Sequence, residues 1–165
     1  MIRLNLGCND FKLNGFINID KDPVVKPDLV VDASKLPYED NSVDEIYAGH
    51  LLEHFSYDED VILEWKRVLK YGGVITITVP DVEKSLKLFN EDKLSLEWMN
   101  NVILGATNRE LQNHHQVFNK KILLDLMNKN FKEVFVLEDS PYLLAKVNWQ
   151  TIITGKNENN SNSKI

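Results

Sequence analysis

Short apolar runs rich in β-branched residues alternate with helix-like segments along the chain, and this alternation limits the fold more than any other feature. The run from Val74 to Val79 is apolar at most positions, as expected for a central strand that is covered on both faces. Strands that alternate with helices predict an α/β fold with a parallel, doubly wound sheet and right-handed crossovers. Seven strands are predicted, at residues 3–6, 16–19, 28–31, 43–48, 74–79, 134–137 and 149–154.

The clearest helical pattern runs from about Tyr57 to Lys70. Ser56 and Glu59 form a capping box at its start, in which each side chain accepts a hydrogen bond from the backbone of the other residue. We expect the Gly72-Gly73 pair to end the helix in a left-handed conformation. The apolar stripe of this helix consists of Val61, Trp65, Val68 and Leu69.

A second helix is predicted from about Lys120 to Lys129, with Asn119 as its N-cap and Asn130 in the left-handed position that often ends a helix. Residues 81–104 are helical by composition, whereas residues 105–116 are polar and predicted to be irregular. The side chains expected to face inward from the second helix are Ile122, Leu123, Leu126 and Met127.

The length and composition indicate one intracellular domain. The 165 residues include 19 basic and 25 acidic side chains, and the net charge of −6 argues against an extended nucleic-acid surface. Cys8 is the single cysteine, so no internal disulfide forms; with no evident activating base, it is predicted to be a buried structural residue. No apolar run approaches the ~18 residues of a membrane span. We predict a single domain over residues 1–155, a disordered polar tail over residues 156–165 and a cytoplasmic location.

Four predicted strands end in residues that are suited to binding a ligand. These ends are Gly7-Cys8-Asn9, Asp20, Asp32-Ala33 and Gly49-His50. In an open parallel sheet, ligands bind outside the carboxyl ends of the strands, at the switch point in strand order. The sequence therefore predicts that these scattered residues converge on one crevice.

The residues at these strand ends suit an adenosine. Gly7 allows a tight turn and the close approach of a ligand to the backbone. The carboxylate of Asp20 can accept hydrogen bonds from both hydroxyls of a ribose. Asp32, with the backbone of Ala33, can bind an adenine amino group and ring nitrogen. The sequence lacks the phosphate-binding pattern G-x-G-x-x-G, which makes a nicotinamide dehydrogenase a poor interpretation.

Taken together, these motifs resemble a known family. The string LNLGCN…GFINID…DLVVDASKLPYEDNSVDEIYAGHLLEHF…WKRVLKYGGVITITVPD is similar to class I S-adenosylmethionine-dependent methyltransferases of the small bacterial, methyltransferase-11-like type. The resemblance implies a Rossmann-like, mostly parallel seven-stranded sheet with an antiparallel last strand. It also implies S-adenosylmethionine as cofactor and methyl transfer to a small-molecule acceptor, such as a sugar or another metabolite.

The resemblance also implies which residues bind the cofactor. They are Gly7, Cys8 and Asn9 around its methionine end, Asp20 at the ribose, Asp32, Ala33 and Ser34 at the adenine, and His50 and Leu51 near the reactive methyl group.

Two features of the first loop depart from the family pattern. Asn9 stands where the family usually has a second glycine, although asparagine tolerates a left-handed backbone better than most residues. The segment from Gly7 to Gly15 is shorter than the dozen or so residues of a usual crossover. We therefore expect at most one helical turn between the first two strands.

An acceptor that is a hydroxyl or a protonated amine requires a general base, and histidine is the usual choice near neutral pH. The predicted bases are His114 and His115, in the polar segment before the helix at 120–129, and Glu53 is a weaker candidate. His50 and His54 have a spacing seen in metal sites, but the sequence offers no identifiable third ligand. It therefore predicts packing roles for this pair and no metal site.

A second class of function stays open at this stage. A methyltransferase-like fold can act as a non-catalytic binding or assembly module, and the missing second glycine, the short first crossover and the lack of a clear base favour that alternative. Replacing Asp20 by alanine would leave such a role intact, whereas an enzyme would lose cofactor binding. The identity of the acceptor and the oligomeric state, including a homodimer, also stay open.

Overall fold

The computed structural model describes residues 1–56, 60–105, 113–138 and 150–158, and a seven-stranded sheet lies at its centre. The strands are β1 (Arg3–Leu6), β2 (Ile17–Asp20), β3 (Leu29–Val30), β4 (Val43–Gly49), β5 (Leu69–Pro80), β6 (Lys132–Leu137) and β7 (Gln150–Lys156). The helices are α1 (Val61–Val68), α2 (Val82–Asn90), α3 (Leu96–Leu104) and α4 (Lys120–Asn130), with short 3-10 turns at Pro23–Val25 and Leu52–His54. Within these ranges, none of the helices combines the length and the apolar character needed to cross a bilayer.

The order of the strands confirms the predicted fold class. Across the sheet the order is β3-β2-β1-β4-β5-β7-β6. Strands β1 to β5 pair in parallel, whereas β7 pairs antiparallel with both β5 and β6. The chain proceeds from β1 toward one edge of the sheet and then from β4 toward the other, so the switch point in strand order lies between β1 and β4. This is the Rossmann-like, mostly parallel arrangement.

The core lies between the sheet and helices α1 and α4. Trp65 and Val68 of α1 are fully buried, as are Leu123 and Met127 of α4, and all four belong to one apolar cluster with the strands. Ile122 was expected to face inward with them, but 44% of its surface is exposed. The buried stripe of α4 is therefore narrower than its sequence suggests.

The end of the helix predicted at 57–70 differs from the expectation. Helix α1 stops at Val68, and Leu69 already begins β5 by pairing with Val43 of β4. The glycine stop was wrong: Gly72 does have a left-handed φ of 77°, but it lies inside the strand. The local sequence pattern favours a helix at Leu69, but the pairing of this buried residue with Val43 makes it part of the strand. The beginning of that predicted helix, including the capping-box residue Glu59, lies outside the described residues.

The helices on either side of residues 105–116 agree with the sequence in outline. Residues 81–104 form two helices, α2 and α3, and the first is capped by Asp81, whose carboxylate accepts two backbone N–H groups. Asn119 caps α4 as predicted, by accepting a hydrogen bond from the Ile122 N–H at 2.8 Å. Asn130 is not left-handed; it is the last residue of α4, and its side chain donates to the Leu126 carbonyl.

The connection between β1 and β2 contains no helix, which confirms the prediction of at most one turn. Residues 7–16 form a loop that polar side chains hold in place. Asn18 is buried; its Oδ1 accepts hydrogen bonds from the Asn5 side chain at 2.9 Å and from the Leu13 N–H at 2.8 Å. Its backbone and side-chain N–H groups both donate to Asp28, which lowers the pKa of that carboxyl. Side-chain hydrogen bonds thus stabilise a crossover that is too short for a helix.

The polar tail was predicted to begin at residue 156, but the fold continues through Asn157. Lys156 is the last residue of β7, and Asn157 is buried. The Asn157 backbone N–H donates to the Gly73 carbonyl at 3.0 Å, and its side chain donates to the Leu69 carbonyl at 2.6 Å. Polar residues enter the fold here because backbone carbonyls of β5 supply their partners. Residues 159–165 lie outside the described residues, so the disordered tail stays a prediction there.

Candidate functional site

A cleft of about 790 Å³ opens at the carboxyl edge of the sheet, beside the switch point. It brings together residues from the ends of β1, β2 and β4 and from the segment after β3. Ser34, one of the predicted cofactor-binding residues, is not part of its lining, whereas the others are: Gly7, Cys8, Asn9, Asp20, Asp32, Ala33, His50 and Leu51. The convergence predicted from the strand ends is therefore present.

The floor of the cleft at β1 is a tight turn. Gly7 has a φ of +62°, and a Cβ at this position would lie 2.6 Å from Cδ1 of Leu51. Asn9 also has a left-handed φ, of 42°, as the sequence predicted for the residue that replaces the second glycine. Its side-chain Oδ1 is buried without a hydrogen-bond partner. Asparagine therefore takes the turn at the expense of an unsatisfied acceptor.

Asp20 organises the middle of the cleft. One carboxylate oxygen accepts the Asn9 N–H and the other accepts the Asp22 N–H, both at 2.9 Å. Each oxygen keeps a lone pair for a second donor, because a carboxylate offers about four acceptor sites. The carboxylate is therefore fixed in position while it can still accept hydrogen bonds from a ligand.

The loop after β3 places Asp32 and Ala33 at the opposite wall. Oδ1 of Asp32 accepts both the backbone N–H and the hydroxyl of Ser34, at 2.8 and 2.7 Å. Partial burial tends to raise the pKa of Asp32, but these two hydrogen bonds outweigh it and hold the pKa below its usual value. Ser34 therefore supports Asp32 from outside the cleft, where the sequence predicted direct contact with the cofactor.

Helix α1 fixes this loop through three side chains: Trp65, which the sequence placed in the core, and Glu64 and Arg67, for which the sequence predicted no role. Trp65 Nε1 donates to the Ala33 carbonyl at 3.0 Å. Glu64 accepts the Leu36 N–H at 2.8 Å and binds Arg67 through both carboxylate oxygens. The Arg67 guanidinium lowers the pKa of Glu64, against the smaller effect of burial. Their i, i+3 spacing could have suggested the ion pair, but nothing in the sequence indicated the loop as their partner.

Cys8 is 2% exposed, and burial raises the pKa of its thiol. Lys12, whose ammonium group lies 3.8 Å from the sulfur, lowers the pKa by a smaller amount. A thiol with a raised pKa is a poor nucleophile at neutral pH. The structural role predicted for Cys8 agrees with this environment.

Aromatic side chains that were not predicted complete the cleft: Phe11, Tyr47 and Phe55. Phe11 comes from the short crossover loop and is 40% exposed. Gly49 makes room for the Tyr47 ring, because a Cβ on Gly49 would lie 2.6 Å from the phenolic oxygen. Apolar faces of this kind are typical of small-molecule sites. Of these three aromatic residues, only Phe11 could have been recognised in the sequence as a candidate for the site, because it lies in the short loop after the first strand.

His50 stands at the end of β4 with a left-handed φ of 51°. Its Nε2–H donates to Oε1 of Gln150 at 2.7 Å, and its Nδ1 lies 3.4 Å from Oε1 of Glu53. Burial tends to lower the pKa of His50, but Glu53 and Gln150 outweigh it and raise the pKa. The sequence missed Gln150, which is one hundred positions away and becomes a neighbour only because β7 inserts beside β5.

Residues 113–116 pack against the turn at Leu52–His54. The backbone N–H groups of His115 and Gln116 both donate to the Glu53 carbonyl, at 2.8 and 3.3 Å. This contact places His115 in the lining of the cleft, whereas His114 does not line it. Its Nε2 lies 4.0 Å from the Glu53 carboxylate. The remainder of the predicted irregular segment, residues 106–112, lies outside the described residues.

Comparison with known proteins agrees with this geometry. Residues 14–77 match a family model described as a methyltransferase domain. No curated protein matches the chain.

Several solved structures with the same fold are described as methyltransferases. One is described as a SAM-dependent methyltransferase, possible histamine N-methyltransferase, from Thermotoga maritima; it is 20% identical with a TM-score of 0.64, over 95% of this chain and 82% of that one. Another is a SAM-dependent methyltransferase from Methanosarcina mazei. It is 20% identical with a TM-score of 0.63, and the match covers 95% of this chain and 92% of that one. The CurJ carbon methyltransferase is 15% identical with a TM-score of 0.65, over 96% of this chain but only 49% of its own.

The sequence match covers β2 to β4 and most of β5 but not β1, and the shared fold covers nearly the whole chain. The chain therefore has the Rossmann-like fold that these methyltransferases share, and residues 14–77 are similar to a methyltransferase domain.

Proposed function

We propose that the protein binds S-adenosylmethionine in the cleft at the switch point and transfers its methyl group to a small-molecule acceptor. The observation that carries the proposal is the convergence of Gly7, Asp20 and Asp32 on one cleft of about 790 Å³. That volume lies in the range of small-molecule sites. Gly7 permits the left-handed turn at the floor of the cleft and leaves room for Leu51, and the fixed carboxylate of Asp20 suits a ribose.

Bound S-adenosylmethionine would supply an electrophilic methyl group, and the chain's task is to align the acceptor with it and exclude water. Alignment alone contributes roughly 7–11 kcal/mol in favourable intramolecular models. His50 and Leu51 would border the methyl group. His115, which lines the cleft, is the proposed base that takes a proton from the acceptor.

The acceptor is proposed to be a metabolite rather than a nucleic acid. The net charge of −6 opposes a polyanion, whose binding rests on Lys and Arg contacts to phosphates. A cytoplasmic location is part of the same proposal, because the cofactor and most small acceptors are available there.

Asp20→Asn tests the cofactor site directly. The substitution keeps the shape of the side chain and removes the charge, and we expect S-adenosylhomocysteine to bind at least about tenfold more weakly, since hydrogen bonds to charged groups are worth about 1.5–3 kcal/mol. Calorimetric titration measures the effect, and Asp10→Asn, an exposed change in the same loop region, is the control. A folded wild-type chain that does not bind S-adenosylhomocysteine would contradict the proposal.

A second candidate is the non-catalytic binding or assembly role, possible also as a homodimer. It is favoured by large apolar side chains exposed on α2 and α3, namely Leu86, Leu96, Trp98, Ile103 and Leu104. Incubation with methyl-labelled S-adenosylmethionine and pooled metabolites separates the two candidates, because only an enzyme incorporates label. Light scattering on Asp20→Asn completes the comparison: an assembly role predicts unchanged association of this variant.

A further inference from the structure

The carboxylate of Glu53 is buried beside the cleft without a hydrogen-bond partner. Its side chain is 1% exposed, and neither of its oxygens has a partner within hydrogen-bond geometry. The nearest polar atoms are imidazole nitrogens: Nδ1 of His50 at 3.4 Å and Nε2 of His114 at 4.0 Å. An unpaired buried carboxylate costs several kcal/mol unless a cation or a strong donor meets it. His50 at 3.4 Å supplies part of this compensation through charge alone, and both oxygens still lack a hydrogen bond, so the carboxylate can bind a further cation.

Two histidines beside Glu53 are already oriented by their other ring nitrogen. His54 Nδ1–H donates to the Asn113 carbonyl, and His114 Nδ1–H donates to the Val102 carbonyl, each at 3.0 Å. When each ring is neutral, its proton is therefore on Nδ1, and Nε2 keeps a lone pair that can bind a metal ion. Metal-binding histidines are held in the same way, by a backbone carbonyl or carboxylate that fixes the tautomer and the plane of the ring.

The three side chains are close enough to share one ion. One ligand atom each from Glu53, His54 and His114 lies within 4.8 Å of the other two, and the two imidazole rings meet edge to face with centroids 4.9 Å apart. Tetrahedral bonds of about 2.0–2.2 Å to a common ion place the ligand atoms about 3.4 Å apart. Side-chain shifts of roughly 1–1.5 Å therefore complete the site.

We propose that Glu53, His54 and His114 bind a divalent transition-metal ion of the zinc type. Two imidazoles and one carboxylate suit zinc, cobalt or nickel better than magnesium or calcium, which prefer oxygen ligands. Three protein ligands leave a coordination position open. His54 lines the cleft, so the ion lies at its border.

The position of this ion suggests what it serves. This step rests on the proposed function: where the cleft holds S-adenosylmethionine, an oxygen of the methyl acceptor is the natural ligand for the open position. An ion there lowers the pKa of a bound hydroxyl, which favours a hydroxyl-bearing acceptor.

Metal binding is tested on the protein freed of metal by a chelator, without S-adenosylmethionine. Cobalt chloride is titrated while visible absorption is recorded, and zinc chloride is titrated by calorimetry. We expect one ion per chain, with affinity reduced at least about 100-fold in Glu53→Gln and in His114→Asn, since even the outer partners of metal ligands contribute 10–100-fold. His115→Asn, one residue along, is the matched control and should retain the wild-type affinity.

Absence of stoichiometric binding to the folded wild-type chain would overturn the proposal, and so would equal affinity in wild type and Glu53→Gln. Should Glu53→Gln fail to fold by circular dichroism, His54→Asn replaces it, because this side chain is only half-buried. Zinc binding without S-adenosylhomocysteine binding would reject the proposed function alone, and the reverse result would reject the metal site alone.

Discussion

The indole Nε1 of Trp65 donates a hydrogen bond of 3.0 Å to the carbonyl oxygen of Ala33. The bond joins a fully buried residue of α1 to the loop that forms one wall of the cleft. The core and the candidate site are therefore coupled: a change inside the helix is transmitted to the position of Asp32 and Ala33.

Trp65→Phe is expected to lower the free energy of unfolding by about 1–3 kcal/mol, because it leaves the Ala33 carbonyl unpaired in a buried position. The variant should also bind S-adenosylhomocysteine more weakly, since the loop loses its anchor. Urea titration and calorimetry measure the two effects. Trp98→Phe on α3, where the side chain is 39% exposed, should change stability by less than about 0.5 kcal/mol. Similar losses in both variants would contradict the coupling.

Gly7→Ala should impair cofactor binding through both conformation and contact. Alanine at a left-handed φ costs about 1–2 kcal/mol, and its Cβ would displace Leu51 from the cleft. Gly72→Ala is the matched control, because Gly72 has a φ of +77° and nothing lies within 4 Å of a Cβ there. We expect both variants to be destabilised in urea titration, Gly7→Ala more strongly because of the added contact with Leu51, and S-adenosylhomocysteine affinity to be lost only in Gly7→Ala. Equal affinity in both would show that contact with Leu51 is irrelevant to the site.

Asn9→Gly should stabilise the protein by about 1 kcal/mol, because it removes both the strained φ and the unsatisfied Oδ1, partly offset by the flexibility of glycine in the unfolded chain. The backbone N–H that donates to Asp20 is retained. Asn41 also has a left-handed φ, of 54°, but is exposed, so Asn41→Gly should give a smaller gain by chemical denaturation. A loss of stability in Asn9→Gly would mean that the asparagine side chain has a partner in solution.

The ion pair between Glu64 and Arg67 predicts part of the acid sensitivity of the fold. Because Arg67 lowers the pKa of Glu64 in the folded state, the pair contributes its full stability above the unfolded pKa, near ~4.3. This contribution is lost as the pH falls through the lower folded pKa. Glu64→Gln should cost about 1 kcal/mol at neutral pH and flatten the decline of stability in acid. Urea titrations at neutral and acidic pH measure the difference, and an unchanged acid slope in the variant would reject it.

The strands and their ends were predictable because both signals are local. β1 lies at residues 3–6 as the apolar run indicates, and the residues after β1, β2 and β4 line the cleft. Their grouping follows from the rule that parallel strands end at one edge, so no pairing had to be known. The left-handed conformation of Asn9 followed from the family resemblance, because this position is usually a glycine in that pattern.

Other features depend on contacts between distant segments and left no local signal. The cluster of Glu53 with His114 requires residues 113–116 to pack on the turn at Leu52–His54, and nothing in either segment encodes that partner. The early start of β5 is of the same kind: Leu69 fits the apolar stripe of a helix equally well, and only its pairing with Val43 decides between helix and strand.

Strand β7 runs against its neighbours, so it enters the sheet at the rim where the parallel strands leave it. Its first residue, Gln150, therefore meets His50 although the two are one hundred positions apart. The proposed methyl-transfer site thus acquires this hydrogen bond only after residue 150 has been synthesised. The N-terminal portion that carries the recognisable motifs would, on its own, hold the cleft residues without the bond that orients the His50 ring.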